Sequence, residues 1–176
     1  MNAQTRARRS RRCLTAAALA LALSASPAVS ISAAQAQNST VQARQGWVVM
    51  PSRHDYATLV KNLDAAARAH KMGIVTRASA TVGAMKVFGR KIPGNMVVGL
   101  FHPRFALPML EASVAAGIEA PIRVYLTENP DRTATLSYKK PSFVFAPYMS
   151  EGGEKLSALG MELDKTFAAI AREAVK

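Results

Sequence analysis

The chain has 176 residues, 49% of them hydrophobic and 19% charged, with 23 Lys and Arg against 11 Asp and Glu and a single cysteine. That balance excludes a disordered polar chain and suits one globular domain, while one cysteine excludes a disulfide framework and a Cys-ligated zinc site. A formal net charge of +12 favours anionic partners: lipid headgroups, cell-wall polymers or acidic proteins.

Residues 1–36 read as a signal peptide. Five arginines (Arg6, Arg8, Arg9, Arg11, Arg12) precede the uncharged run from Leu14 to Ala25, and Ala34-Gln35-Ala36 supplies a small-x-small cleavage pattern at Ala34 and Ala36. The run has 12 residues, whereas a bilayer span needs about 20 strongly apolar ones. Ser10-Arg11-Arg12-Cys13-Leu14 is similar to a twin-arginine export motif, departing from it where Cys13 and one Leu replace a bulkier apolar pair. Both that route and ordinary secretion lead to a periplasmic or secreted protein. Cleavage would remove the lone cysteine and leave 18 bases against 11 acids, a net of +7. Nucleic acid is scarce outside the cytoplasm and is not an expected partner. Excess Lys and Arg also serve solubility alone.

Residues 37–45 are polar and read as a flexible leader. From Gly46 the pattern is regular. Trp47 to Met50 suggest a strand ended by Pro51. Ser52 or Asp55 then caps a helix whose buried face carries Tyr56, Leu59, Val60, Leu63, Ala67 and His70 until Gly73. Ile74 to Thr76 predict a second strand, and Asn95 to Phe101 a buried one, with the basic segment Lys86 to Lys91 between them. A helix is expected from near Leu107 to Ala116, because Pro103 and Pro108 suit its approach and first turn.

Ile122, Val124 and Leu126 alternate with Arg123, Tyr125 and Thr127. After Asn129-Pro130-Asp131 the alternation resumes over Thr133 to Tyr138, the mark of a hairpin with one buried face. Ser150 is expected to cap a final helix with Leu156, Leu159, Leu163, Phe167 and Ile170 on one stripe. The order β-α-β-β-β-β-α predicts an α+β two-layer sandwich, its mostly antiparallel sheet covered on one face by helices. The domain is placed at 46–148 and the C-terminal helix at 149–176.

The segments Val98-Gly99-Leu100-Phe101-His102-Pro103, Pro108-Met109-Leu110-Glu111, Ala120-Pro121-Ile122-Arg123-Val124-Tyr125 and Ser137-Tyr138-Lys139-Lys140-Pro141-Ser142 resemble the domain of unknown function 302 family over about residues 48–148. The resemblance implies a small α+β domain and no particular reaction. Many relatives carry an Asp-His pair soon after the second strand, where this chain has Ala78-Ser79-Ala80-Thr81.

His102 follows a buried strand and precedes a proline, a position for a turn-forming side chain or for an acid or base. His70 falls on an apolar stripe and His54 in a cap region, so the three histidines make no metal signature. The seven methionines after residue 36 lack a short Met-x-x-Met cluster and read as core filler rather than copper ligands. The bases Lys86, Arg90, Lys91, Arg104, Lys139 and Lys140 lie near strand ends and suggest an anion site. Arg123, Tyr125 and Tyr138 are expected to line a shallow polar sheet surface, which also serves as an edge that discourages aggregation. No nucleophile-base pair, paired carboxylates, cofactor motif or metal motif is apparent.

The sequence therefore predicts an exported, non-catalytic binding or assembly module of the cell envelope, working through His102, Arg104, Arg123, Tyr125 and Tyr138. Its partner would be an anionic small molecule or an envelope protein, and an uncovered sheet face suits a homodimer. Two rivals stand beside it. One is an enzyme using His102 as acid or base, with Arg104 or Arg123 holding an anionic substrate; the other is a basic protein of membrane surfaces.

Overall fold

The computed structural model describes residues 39–176, so the export pattern and its cleavage site at Ala34 and Ala36 lie outside the described residues. Five strands, β1 (Trp47–Asp55), β2 (Gly73–Ser79), β3 (Asn95–Phe101), β4 (Ile122–Glu128) and β5 (Thr133–Lys139), form one sheet in the order β1-β5-β4-β3-β2. Every neighbouring pair is antiparallel. Pro51 lies within β1 instead of ending it, because β1 is an edge strand and an edge tolerates a residue without an N–H.

Helix α1 (Tyr56–Ala69) starts at Asp55, whose carboxylate accepts the Thr58 N–H at 2.7 Å. Of the two caps expected there, Asp55 is the one used. Helices α3 (Pro103–Ala112) and α5 (Met149–Ala174) join α1 on one face of the sheet. Leu59 and Leu63 of α1, Phe105 and Met109 of α3, and Leu156, Leu163, Phe167 and Ile170 of α5 are buried with Val98, Leu100, Val124, Leu126, Leu136 and Tyr138 of the strands. Each such large side chain contributes on the order of 1.5–3 kcal/mol by leaving water. The α+β sandwich with helices on one face is thus the observed architecture, and α5 is part of its core rather than an extension.

Three local expectations need correction. α3 begins at Pro103, not near Leu107, and ends at Ala112, short of Ala116: His102 is its cap, Pro103 occupies the first turn, and Pro108 is accommodated inside. Ser150 does not cap α5, which has no side-chain cap and is broken near its start by Gly153 at φ 51°, ψ −142°. The leader is not loose throughout. Ser39 is buried with its Oγ 3.1 Å from Thr135 Oγ1, and the Thr40 N–H donates to Asn129 Oδ1 at 3.1 Å.

A further helix, α2 (Ala80–Phe88), has no counterpart among the elements expected from the sequence. Ser79 Oγ accepts the Val82 N–H at 3.2 Å to start it, and Gly89 at φ 62° closes it. Two short helical segments, Ala115–Glu119 and α4 (Pro141–Phe145), lie at the ends of the central strands.

Candidate functional site on the open sheet face

In a strand, successive side chains point to opposite faces. Pairing of Val124 with Tyr138 and of Leu126 with Leu136 therefore sends these four toward the helices. Arg123, Tyr125, Thr135, Ser137 and Lys139 turn the other way. Tyr125 stands opposite both Val97 and Ser137, and Ser137 opposite Val49, which makes a continuous row across the face that, among the described residues, α1, α3 and α5 leave open.

Tyr138 borders a groove on that face but sends its ring into the core. It is only 3% exposed and packs tilted against Phe167, with ring centroids 5.6 Å apart. Burial, assisted by nearby Asp164, pushes its phenol up to about 12. An amphipathic ring at an alternating position suits either face; its phase with Leu136 decides the matter.

The open face carries a groove of about 620 Å³. Val97, Tyr125 and Ser137 line it from the sheet, Trp47 from β1, and Phe143 and Pro147 from the segment after β5. Gly46 sets the position of Phe143: it has φ +73°, and a Cβ there would run into the Phe143 ring. A larger residue would displace this aromatic wall. The wall and floor are mainly apolar, with few polar groups among them, as in small-molecule pockets of about 300–1,000 Å³.

Those polar groups are mostly donors. Arg123 and Lys139 line the groove, and neither forms an ion pair among the described residues. Tyr125 Oη accepts from Asn95 Nδ2 at 2.5 Å, which orients the phenol and leaves its own proton to donate. Ser137 is fully buried and its Oγ has no hydrogen-bond partner among the described residues. A buried unpaired hydroxyl costs about 1–3 kcal/mol, so an acceptor oxygen from a ligand would be well received there. The one acid in the lining is Glu119, whose carboxylate accepts from Tyr148 Oη at 2.9 Å and holds that phenol above its ordinary range.

His102 and Arg104 lie elsewhere. His102 Nδ1 accepts the Arg104 N–H at 3.0 Å, so the imidazole performs the capping role that the turn reading anticipated. Arg104 is ion-paired with Glu162 and lies over the Phe105 ring at 4.7 Å. Neither lines the groove containing Arg123. His70 Nε2 meets Glu173 at 3.0 Å. The bases expected to converge divide among regions: Lys86 and Lys91 lie by α2, Arg104 by α3, and Lys139 in the groove. Among the described residues no group of three His, Cys, Asp or Glu is arranged to hold a metal.

The residues missed from sequence were Ser137, Asn95, Trp47 and Phe143. Ser137 was accessible in principle, since the hairpin register across Asn129-Pro130-Asp131 pairs it with Tyr125. Phe143 and Trp47 gave no such signal, because the chain reaches them from separate elements.

No curated protein matches the chain. Among solved structures it is similar to the crystal structure of the uncharacterized conserved protein DUF302 from Bacillus stearothermophilus, at TM-score 0.65 and 13% identity, covering 76% of this chain and 100% of that one. At that identity the likeness is one of fold. The family model described as Domain of unknown function DUF302 matches residues 48–173, so the match takes in α5 as well as the segments that carried the resemblance. The chain belongs to the family of domain of unknown function DUF302.

Proposed function

We propose that this protein is an exported binding module that holds a small organic anion, a carboxylate with an apolar or aromatic body, against the open face of its sheet. The observation that carries this reading is the buried, unpartnered Ser137 hydroxyl in a groove that also contains the unpaired Arg123 guanidinium. A carboxylate would accept from Arg123, Ser137 and Tyr125 together, and its apolar body would lie on Val97 and Phe143. Export is supported by the basic, apolar and small-residue order of residues 1–36. A binding role is favoured over catalysis because the groove lining contains no nucleophile beside a base and a single carboxylate. The acid-base role for His102 loses support, since its Nδ1 is engaged in capping α3, Arg104 is ion-paired with Glu162, and neither lines the groove that holds Arg123.

The test is calorimetric titration of the processed protein, recovered from its own compartment, with aromatic and aliphatic carboxylates and their amides. Saturable binding of acids but not amides is expected, weakened about tenfold in Arg123→Ala, since a hydrogen bond to a charged group is worth about 1.5–3 kcal/mol. Equal responses to acid and amide, or binding untouched by both Arg123→Ala and Ser137→Val, would overturn the reading.

A further inference from the structure

Helix α2 has a composition that its surroundings do not explain. It reads Ala-Thr-Val-Gly-Ala-Met-Lys-Val-Phe and buries none of its residues. Val82 is 63% exposed, Met85 49%, Val87 70% and Phe88 79%. Thr81 ties its first turn to the start of β3, through the Asn95 N–H that its Oγ1 accepts at 2.8 Å and the Pro93 carbonyl to which it donates at 3.1 Å. A helix apolar on nearly all sides is ordinarily sunk in protein or lipid, and a contiguous exposed apolar patch marks an interaction surface.

Charge selects the partner. Lys86 is the one ionisable residue of α2, Arg90 and Lys91 follow it, and no Asp or Glu occurs between Asp64 and Glu111. Beside the helix a cleft of about 970 Å³ is lined by Tyr56, Met85, Lys86, Lys91 and the ion pair of Glu128 with Arg132 at 3.0 Å, so that Lys86 and Lys91 carry its net charge. Apolar side chains flanked by bases match the interface of an anionic bilayer, where the former enter the acyl boundary and the latter meet phosphates. A second copy of the chain would bring Lys86, Arg90 and Lys91 against their own equivalents. The other exposed apolar group, Leu107, Leu110, Val114 and Ile118, includes Glu111 and Glu119 in its segment and lacks this complementarity.

We infer that α2 and the cleft beside it dock the protein on an anionic phospholipid surface, with Val87 and Phe88 inserted and Lys86 and Lys91 at the headgroups. This surface shares no lining residue with the open-face groove, so it stands or falls independently of the carboxylate site.

The experiment is co-sedimentation of the processed protein with vesicles of phosphatidylglycerol and phosphatidylethanolamine, and with phosphatidylcholine vesicles. Binding to the anionic vesicles is expected to exceed that to neutral ones at least about tenfold and to weaken as salt rises. Val87→Asp with Phe88→Asp should reduce it at least about tenfold, and so should Lys86→Glu with Lys91→Glu. The thermal midpoint should hold in all four substitutions, because none of these side chains is buried. As a variant that retains the apolar surface, Phe88→Trp should gain fluorescence quenching by brominated lipid beyond that of the parent Trp47. Failure of the parent to sediment, equal binding to neutral vesicles, unchanged binding in the Asp variant, or no added quenching in Phe88→Trp would each overturn the inference. Capture of free glycerophosphate without vesicle binding would overturn it too, making the cleft a small-molecule site.

Discussion

The two faces of the β4–β5 hairpin are built from adjacent residues and behave as different materials. On one, Val124, Leu126, Leu136 and Tyr138 are sealed under α1, α3 and α5. On the other, Arg123, Tyr125, Ser137 and Lys139 surround a groove whose charges are unpaired and one of whose hydroxyls lacks a partner among the described residues. The difference teaches that strand alternation separates what is packed from what is left open: side chains one position apart meet different surroundings.

The sharpest break of this comparison uses neighbours. Leu136→Ala, at a fully buried position, should cost about 2–5 kcal/mol in urea unfolding. Ser137→Ala, next to it and equally buried, should cost less than about 1 kcal/mol or stabilise, because it removes an unpaired hydroxyl. Comparable losses at the two sites would mean that the Ser137 hydroxyl is satisfied and the groove is no recognition site.

A second test separates the faces by pH. Tyr138 has its folded pKa raised above 10.0 to about 12, so the folded state binds that proton more tightly than the unfolded chain. Its contribution is complete below the unfolded value and is lost as pH rises through the folded one. Stability should fall between about pH 10 and 12 on this account, and Tyr138→Phe should flatten that limb of a pH-resolved melt. Tyr125→Phe, on the open face, should leave it in place.

Arg123→Ala sharpens the comparison from the other side. It should weaken carboxylate binding about tenfold while shifting unfolding free energy by no more than about 0.5 kcal/mol, as expected of an exposed residue without an ion pair. The smallest effect is at Asp55, held below the ordinary carboxylate range first by the Thr58 backbone N–H. A lowered folded pKa gives stability that is present above the unfolded value and lost as pH falls through the folded one. Asp55→Ala should remove a small acid-limb dependence, read in the same melts, without touching either face.

Legibility varied with how local the cause was. The hairpin was readable because alternation and the Asn-Pro-Asp turn lie within one stretch of chain, and the stripe of α5 because Leu156, Leu163, Phe167 and Ile170 recur at helical spacing. α2 went unread because its apolar residues have no buried face to create a period. His102 was readable as a turn residue from the proline after it, whereas its absence from the groove that Arg123 lines was not, since β3 and β4 are joined through α3 and a further turn.

The sequence by itself determined the α+β class, the family, and which residues share a face within each strand and helix, because these follow from spacing along a few turns of chain. Only the tertiary structure decided which face is covered, that Tyr138 belongs to the core, and that Trp47, Ser137 and Phe143 meet at Arg123's groove. Those outcomes depend on how β5 returns to pair with β1 and where α4 settles after it. Such contacts join remote segments, and no local propensity encodes them.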